Sequence, residues 1–340
     1  MARARRFWPV VLVAVCLSAM SQPRHARASG DSLTPGTRVL LDAHNAYPDQ
    51  GRWADRIDRA LATGLPVAIE QDLVWRRDPG TGRGRSVVSH GPPFTAQEPT
   101  LDQYFFERIR PLIERAVQDG SRDGWPLITL NLDFKDDEPE HLREIWRVIA
   151  KYDPWLCTAT RRSRSEDVSP MTPGPLLILT GESDVQERVF HDDVPVGERL
   201  RLFGAVHRRP DGGPSPKTNY RRWWNNPWKV VEPEGQHDAG DWSAQDAGRL
   251  KHAVAQAHDA GLWIRFYTLD GFEAASDTNG WTASYNFGSL PAAETRWRAA
   301  IDAGVDFVAV DQYEDFARCR ENGGCGGNGL TGGTEKRRSF

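Results

Sequence analysis

The chain has 340 residues, with 47 acidic against 43 basic side chains and a formal net charge of -4 at neutral pH. That balance argues against a nucleic-acid binder, which carries a basic patch or stripe, but leaves a phosphate-bearing substrate open because local field counts for more than net charge. The length suits one large α/β barrel.

Arg3, Arg5 and Arg6 form a positive N-terminal region, Phe7 to Met20 is an apolar run of 14 residues, and Ala26-Arg27-Ala28 closes the stretch. The run is too short to span a bilayer and fits a secretory signal cleaved after about Ala28. Its removal takes away five arginines and no acid, leaving 312 residues and a charge of -9. The expected location is therefore extracellular. Residues 29–318 form the expected single barrel domain, and 319–340 are a Gly-rich tail expected to be disordered.

Arg38 to Asp42 reads as a first strand, followed by helical spacing at Trp53, Ile57 and Leu61. Val67 to Leu73 is a second strand. A Gly- and Arg-rich excursion over 76–85 returns through the extended segment Ser86 to Gly91. Leu101 to Gln118 reads as a helix, Leu127 to Phe134 as the third strong strand and Glu138 to Lys151 as a helix. Leu176 to Thr180 is a short buried strand, Leu200 to Val206 a fifth and Trp228 to Val231 a weak sixth. Ser243 is placed to cap a helix running to Ala260. Leu262 to Leu269 and Asp306 to Val310 are the last strands, separated by a helix from about Pro291 to Ala303.

One junction recurs. Gly64, Gly261 and Gly304 each end a helix and are followed at once by an apolar run. A glycine at that position accepts the left-handed conformation that turns a helix back toward a sheet. Repeated over eight candidate strands, the pattern predicts parallel βα units closed as a TIM (β/α)8 barrel, with an open doubly wound sheet as the competing arrangement. No G-x-G-x-x-G follows a strand, which disfavours a dinucleotide fold. Beyond the signal, Cys319 and Cys325 could close a small Gly-rich loop as a disulfide. Cys157 reads as a buried inert thiol, and the spacing fits no zinc site.

The active site of such a barrel lies at the C-terminal ends of its strands. His44 and Asn45, Glu70 and Asp72, and Asp133 and Lys135 all fall at strand ends. Alternation with period two puts Glu70 and Asp72 on one face. Asn45, Glu70, Asp72 and Asp133 offer only oxygens, the donor set of a hard divalent cation such as Ca²⁺ or Mg²⁺. His44 and His90 are then available for general acid and base work, and Lys135 for an anion. Arg265 and Tyr267 share a strand face that could line the pocket. Bland alternatives exist for each: a loop cap at His44 and Asn45, ion pairs from Glu70 and Asp72 to Arg76, Arg77 or Lys135, and a simple Asp133–Lys135 pair.

His44-Asn45-x-Tyr47, then Glu70-x-Asp72, then His90-Gly91 resembles the catalytic half of phosphatidylinositol-specific phospholipase C. Asp133-x-Lys135 is similar to the sphingomyelinase D pattern. The runs at Gly261 to Tyr267 and Gly304 to Val308 resemble the last strands of glycerophosphodiester phosphodiesterases. The resemblance implies a TIM-barrel phosphodiesterase of the phospholipase C-like superfamily. In it His44 and His90 are the acid/base pair, Asn45, Glu70, Asp72 and Asp133 hold one Ca²⁺ or Mg²⁺, and Lys135 binds substrate phosphate. It covers roughly residues 38–135 and 250–316. Asn45 stands where glycerophosphodiesterases usually carry Arg, which favours the phosphatidylinositol-type site over the glycerophosphodiester type, while Asp133-x-Lys135 keeps a sphingomyelinase D-like activity as an alternative beside glycerophosphodiester hydrolysis.

A metal-independent glycoside hydrolase built on the same carboxylates, and a non-catalytic binding barrel, are the readings of other classes. The expected partner is a phosphodiester, with a phospholipid or its head group as one source; no nucleic acid is expected, and the protein is expected to be a monomer. Trp223, Trp224 and Trp228 suit either peripheral membrane contact or packing of a long loop. His141 reads as solvated, and His191, His207 and His237 as surface residues.

Overall fold

The computed structural model describes residues 33–322, apart from 49–51, 53, 96, 121–124 and 274–284. The expected signal segment, Trp53 and Cys325 lie outside the described residues. Eight parallel strands close on themselves in the order β1 (Leu40–Ala43), β2 (Val67–Arg77), β4 (Ile128–Phe134), β7 (Leu176–Thr180), β9 (Phe203–Ala205), β10 (Arg221–Pro227), β11 (Trp263–Tyr267) and β12 (Phe307–Val310). Pairing of β1 with both β12 and β2 completes the ring, so the molecule is a TIM barrel. β2 runs on past the barrel and pairs antiparallel with β3 (Gly84–Val88) as a projecting hairpin. A small antiparallel sheet of β5 (Thr158–Thr160), β6 (Met171–Thr172) and β8 (Arg199–Leu200) lies where the chain enters β7 and β9.

The helices that return the chain between strands are α1 (Arg56–Ala62), α2 (Glu107–Gln118), α3 (Pro139–Ala150), the single turn α4 (Asp184–Glu187), α5 (Ala244–Asp259) and α6 (Leu290–Ala303), with α7 (Tyr313–Asn322) after the last strand. Ser243 caps α5 through a reciprocal box with Asp246, satisfying two donors that the first turn would otherwise orphan. Gly64, Gly261 and Gly304 have φ of 100°, 69° and 78°, the left-handed turn expected at these junctions. The expected tail from 319 begins inside α7, which continues through Asn322.

Period two sorts each strand into an outward series packed under the helices and an inward series filling the barrel. Leu41, Ile69, Leu130, Ile178, Ile264 and Val308 belong to the outer layer. Leu40, Ala68, Leu177, Phe203, Trp223, Trp263 and Phe307 form the inner one, and Trp125 packs edge-on against Trp263 at a centroid distance of 5.7 Å. Further along the same strands the inward series turns polar, from Leu40 to Asp42, Ala68 to Glu70 and Asp72, Trp223 to Asn225, and Trp263 to Arg265. The fold thus builds an apolar plug at one end of the barrel and a polar floor above it.

Three expectations are corrected, and the two readings of the tryptophans are told apart. Trp228 to Val230 is a short 3-10 turn, and the sixth barrel strand is the preceding Arg221–Pro227. Its two arginines disguise it. Arg221 is paired internally with Glu187 (2.7 Å) and Asp184 (2.8 Å), while Arg222 donates to the carbonyls of Ser169 and Asn219 (both 3.0 Å). Trp223, Trp224 and Trp228 are at most 1% exposed, so they are core and not a lipid-facing surface. His141 is buried, with Nδ1 2.9 Å from Asp136 and Nε2 2.8 Å from Ser86 Oγ; it ties the projecting hairpin to α3. His191 is likewise buried, held by Asp192 and Asn219. Cys157 is a buried free thiol, its pKa pushed up to about 12 by burial. Cys319 is disulfide-bonded.

Candidate active site

The C-terminal ends of the barrel strands surround a cavity of about 680 Å³ lined by His44, Asn45, Glu70, His90, Asp133, Lys135, Arg265 and Tyr267 among others. Eight of the nine residues singled out above from the sequence therefore share one mouth. The ninth, Asp72, is buried at 1% exposure just beneath it.

Register explains how the acids meet. In the β2–β4 ladder Glu70 stands opposite Asn131, and Asp72 opposite Asp133. Residues at one level of a parallel pair point the same way, so the two strands stack their inward carboxylates side by side. Glu70, Asp72 and Asp133 each offer an oxygen within 4.8 Å of the others. One cation with ligand distances of about 2.0–2.6 Å reaches all three. Three unscreened negative charges at that spacing repel, and two cations offset them. Arg265 Nη2 donates to Glu70 Oε2 at 2.7 Å and Nε to Asp42, with Asn225 Oδ1 3.1 Å from Nη1. Lys135 Nζ lies 2.9 Å from Asp72 Oδ2 and 2.6 Å from Asp133 Oδ2. Burial and then the Asp133 charge push Asp72 up to about 8, against the pull of Lys135.

His44 sits on the turn that leaves β1. Asn45 takes a left-handed φ of 53°, which asparagine tolerates better than most side chains. Three contacts clamp this turn: Tyr313 Oη donates to the His44 carbonyl at 2.5 Å, Arg56 Nη1 to that of Asn45 at 2.6 Å and Gln71 Nε2 to that of Ala46 at 2.5 Å. The His44 ring is held at both nitrogens. Nδ1 is 3.1 Å from Asp311 Oδ1, and Nε2 is 3.2 Å from Thr268 Oγ1 and 3.6 Å from Glu70 Oε2. Asn45 Nδ2 donates to both Asp311 oxygens at 3.2 and 3.3 Å and lies 2.7 Å from His44 Nδ1, while its Oδ1 accepts from the Tyr47 hydroxyl at 2.7 Å. Asn45 thus orients the His44–Asp311 pair as well as facing the cavity. His90 lies on an exposed segment across the same cavity.

Burial disfavours charge on His44, but the Glu70 and Asp311 carboxylates outweigh it and raise its pKa to about 9. In the metal-free protein its ring signals are expected to titrate near that value, and Asp311→Asn to move the midpoint down toward the ordinary imidazole range. Ring ¹⁵N shifts followed against pH check this, and an unchanged midpoint in the variant would remove Asp311 as a source of the shift.

Asp311, Asp270 and Asp42 escaped the sequence reading. Asp311 and Asp270 lie just beyond β12 and β11, and carry the same signal as the first three strands, an apolar run that ends in polar residues. Asp270 accepts from the Asp311 backbone N–H at 2.7 Å, and burial with the neighbouring Asp311 charge holds its carboxyl well above the usual range.

No family model and no curated protein matches the chain. Solved structures similar to it include a calcium-dependent phosphoinositol-specific phospholipase C from Pseudomonas sp., at 15% identity over 84% of this chain and 92% of that one, with a TM-score of 0.45. They also include glycerophosphoryl diester phosphodiesterases from Parabacteroides distasonis (11% identity, 85% and 86% covered, TM-score 0.39) and Agrobacterium tumefaciens (12% identity, 82% and 99% covered, TM-score 0.35). At such identities and TM-scores the likeness carries no argument of its own: the fold rests on the strand pairings, and the chemistry is read from the site's own residues.

Proposed function

We propose that the chain is a divalent-metal-dependent phosphoric diester hydrolase of the phospholipase C-like superfamily, with the cavity at the barrel mouth as its active site. The observation that carries this is the convergence of Glu70, Asp72 and Asp133 within 4.8 Å of one another, beside the His44–Asp311 pair. The donor set is all oxygen, and Asp72 Oδ1 is buried without a hydrogen-bond partner, so these residues fit Ca²⁺ or Mg²⁺. When bound, such an ion supplies charge neutralisation at the phosphate oxygens. Secretion belongs to the same proposal and rests on the N-terminal sequence alone.

The chain's own residues supply proton transfer and orientation. His44 carries a proton at neutral pH in the resting protein and faces the cavity through Nε2, which suits donation to the leaving oxygen. His90, exposed across the cavity, takes the proton from the attacking hydroxyl as the new P–O bond forms and the old one breaks. Asp311 stabilises the imidazolium and fixes the ring, as a carboxylate behind a histidine does in other acid–base pairs. The half-buried Tyr267, packed edge-to-face with the exposed Tyr285 at a centroid distance of 6.4 Å, walls the side on which the substrate's organic group would lie.

The test is the protein assayed on a panel of phosphodiesters before and after chelator treatment. Loss of hydrolysis on chelation, restored by Ca²⁺ or Mg²⁺, is expected. Full activity that survives the chelator would sink the metal assignment, and glycosidase activity in its place would favour the barrel glycoside hydrolase.

A further inference from the structure

Of the two cations among the acids, one is locked and the other is not. Arg265 is 2% exposed and lies between two buried carboxylates, Asp42 and Glu70. Lys135 differs. Its side chain is 24% exposed, its backbone N–H is pinned to the Leu73 carbonyl at 2.9 Å, and its ammonium rests on Asp72 and on the half-exposed Asp133. The four-carbon stem is flexible, and the end of a lysine is a compact charge with no fixed geometry. Rotation of that stem alone would carry the ammonium into the adjoining cavity.

We infer that Lys135 is a tethered competitor for the divalent cation: its ammonium occupies the Asp72 and Asp133 ligand oxygens until a metal ion displaces it, and the displaced ammonium then serves the substrate phosphate. This rests on the metal-dependent reading above. Three facts carry it. Two of the three carboxylates that would ligate the ion, Asp72 and Asp133, are the ones Lys135 holds. All three carboxylate oxygens lie within 4.8 Å of one another, so an ammonium and a divalent ion sharing them would stand a few ångströms apart and repel by several kcal/mol at an effective dielectric of about 20. Both buried Asp72 oxygens lack a hydrogen-bond partner, although the ammonium stands 2.9 Å from Oδ2, so the lysine fills the cluster incompletely. The site therefore stays neutralised and folded without metal, at the cost of weaker metal binding. Ion and lysine then act in succession: the first takes the acids, and the second is released to the anion.

The experiment is Mn²⁺ binding, by titration calorimetry and by the loss of the free-ion resonance signal, to the stripped full-length protein and its variants. Lys135→Met is expected to bind Mn²⁺ at least about tenfold more tightly than wild type, since a positive charge leaves the cluster. Lys135→Arg should keep the weak wild-type affinity, and adding Asp72→Asn to Lys135→Met should abolish the gain. With inorganic phosphate as probe, Mn²⁺ should strengthen phosphate binding in wild type more than in Lys135→Met. Melting curves confirm that each variant folds. Equal or weaker Mn²⁺ affinity in Lys135→Met, still lost on Asp72→Asn, overturns the competition and leaves the metal site standing. Absence of Asp72-dependent Mn²⁺ binding in every variant overturns both.

Discussion

His44→Ala is expected to lower kcat on phosphodiesters with alkoxide leaving groups by about 10²–10⁴-fold, the range of a positioned acid or base. With a nitrophenolate leaving group the loss should be far smaller, because that anion departs without a proton. The contrast separates proton donation from general damage to the site, which would depress both substrates alike. Structure supports a clean substitution. The His44 side chain is 15% exposed at the cavity edge, and the turn that carries it is held through backbone carbonyls by Tyr313, Arg56 and Gln71. Asp311 keeps Asn45 as a partner after the ring is gone. The variant should therefore melt close to wild type. Equal activity of His44→Ala and wild type on an alkyl diester would remove His44 from the mechanism. Equal large losses on both substrates would transfer it from proton donation to orientation.

How far the sequence reaches is clear from particular residues. β1, β2 and β4 are legible because each is an apolar run that ends in polar residues, and the three glycine junctions mark where helices return to the sheet. β10 is not legible in the same way. Arg221 and Arg222 read as loop until Glu187, Asp184 and the carbonyls of Ser169 and Asn219 are seen around them. Convergence of Glu70, Asp72 and Asp133 follows from strand order, but the level match of Asp72 with Asp133 depends on a register that no local pattern encodes. Lys135 is legible as a cation two residues beyond Asp133, but its reach across to Asp72 depends on the same register. The partners of His44 and Glu70 lie on the far side of closure. Asp311 is 267 residues from His44, and Arg265 is 195 from Glu70, so only a barrel that has joined its first strand to its last brings them together.

Arg265→Met should be the most destabilising single change at the site, costing about 3–5 kcal/mol at neutral pH, as expected when one partner of a buried ion network is removed. Asp42 and Glu70 are 1% and 3% exposed, and without the guanidinium two carboxylates face each other across the floor of the cavity. Burial already raises the Asp42 pKa, with Arg265 opposing; removing Arg265 raises it further. A carboxyl whose folded pKa is raised contributes stability below its unfolded pKa that is lost as pH rises through the folded value. The deficit of Arg265→Met should accordingly shrink in acid and widen toward alkaline pH. Urea unfolding at several pH values measures it. Adding Asp42→Asn should return part of the lost stability, because only one charge then needs company, and the coupling between the two sites reads their interaction directly. An Arg265→Met protein as stable as wild type at every pH would mean that the acids shed their charge by protonation at no measurable cost. The ion pair would then position Glu70 for a cation without holding the barrel together.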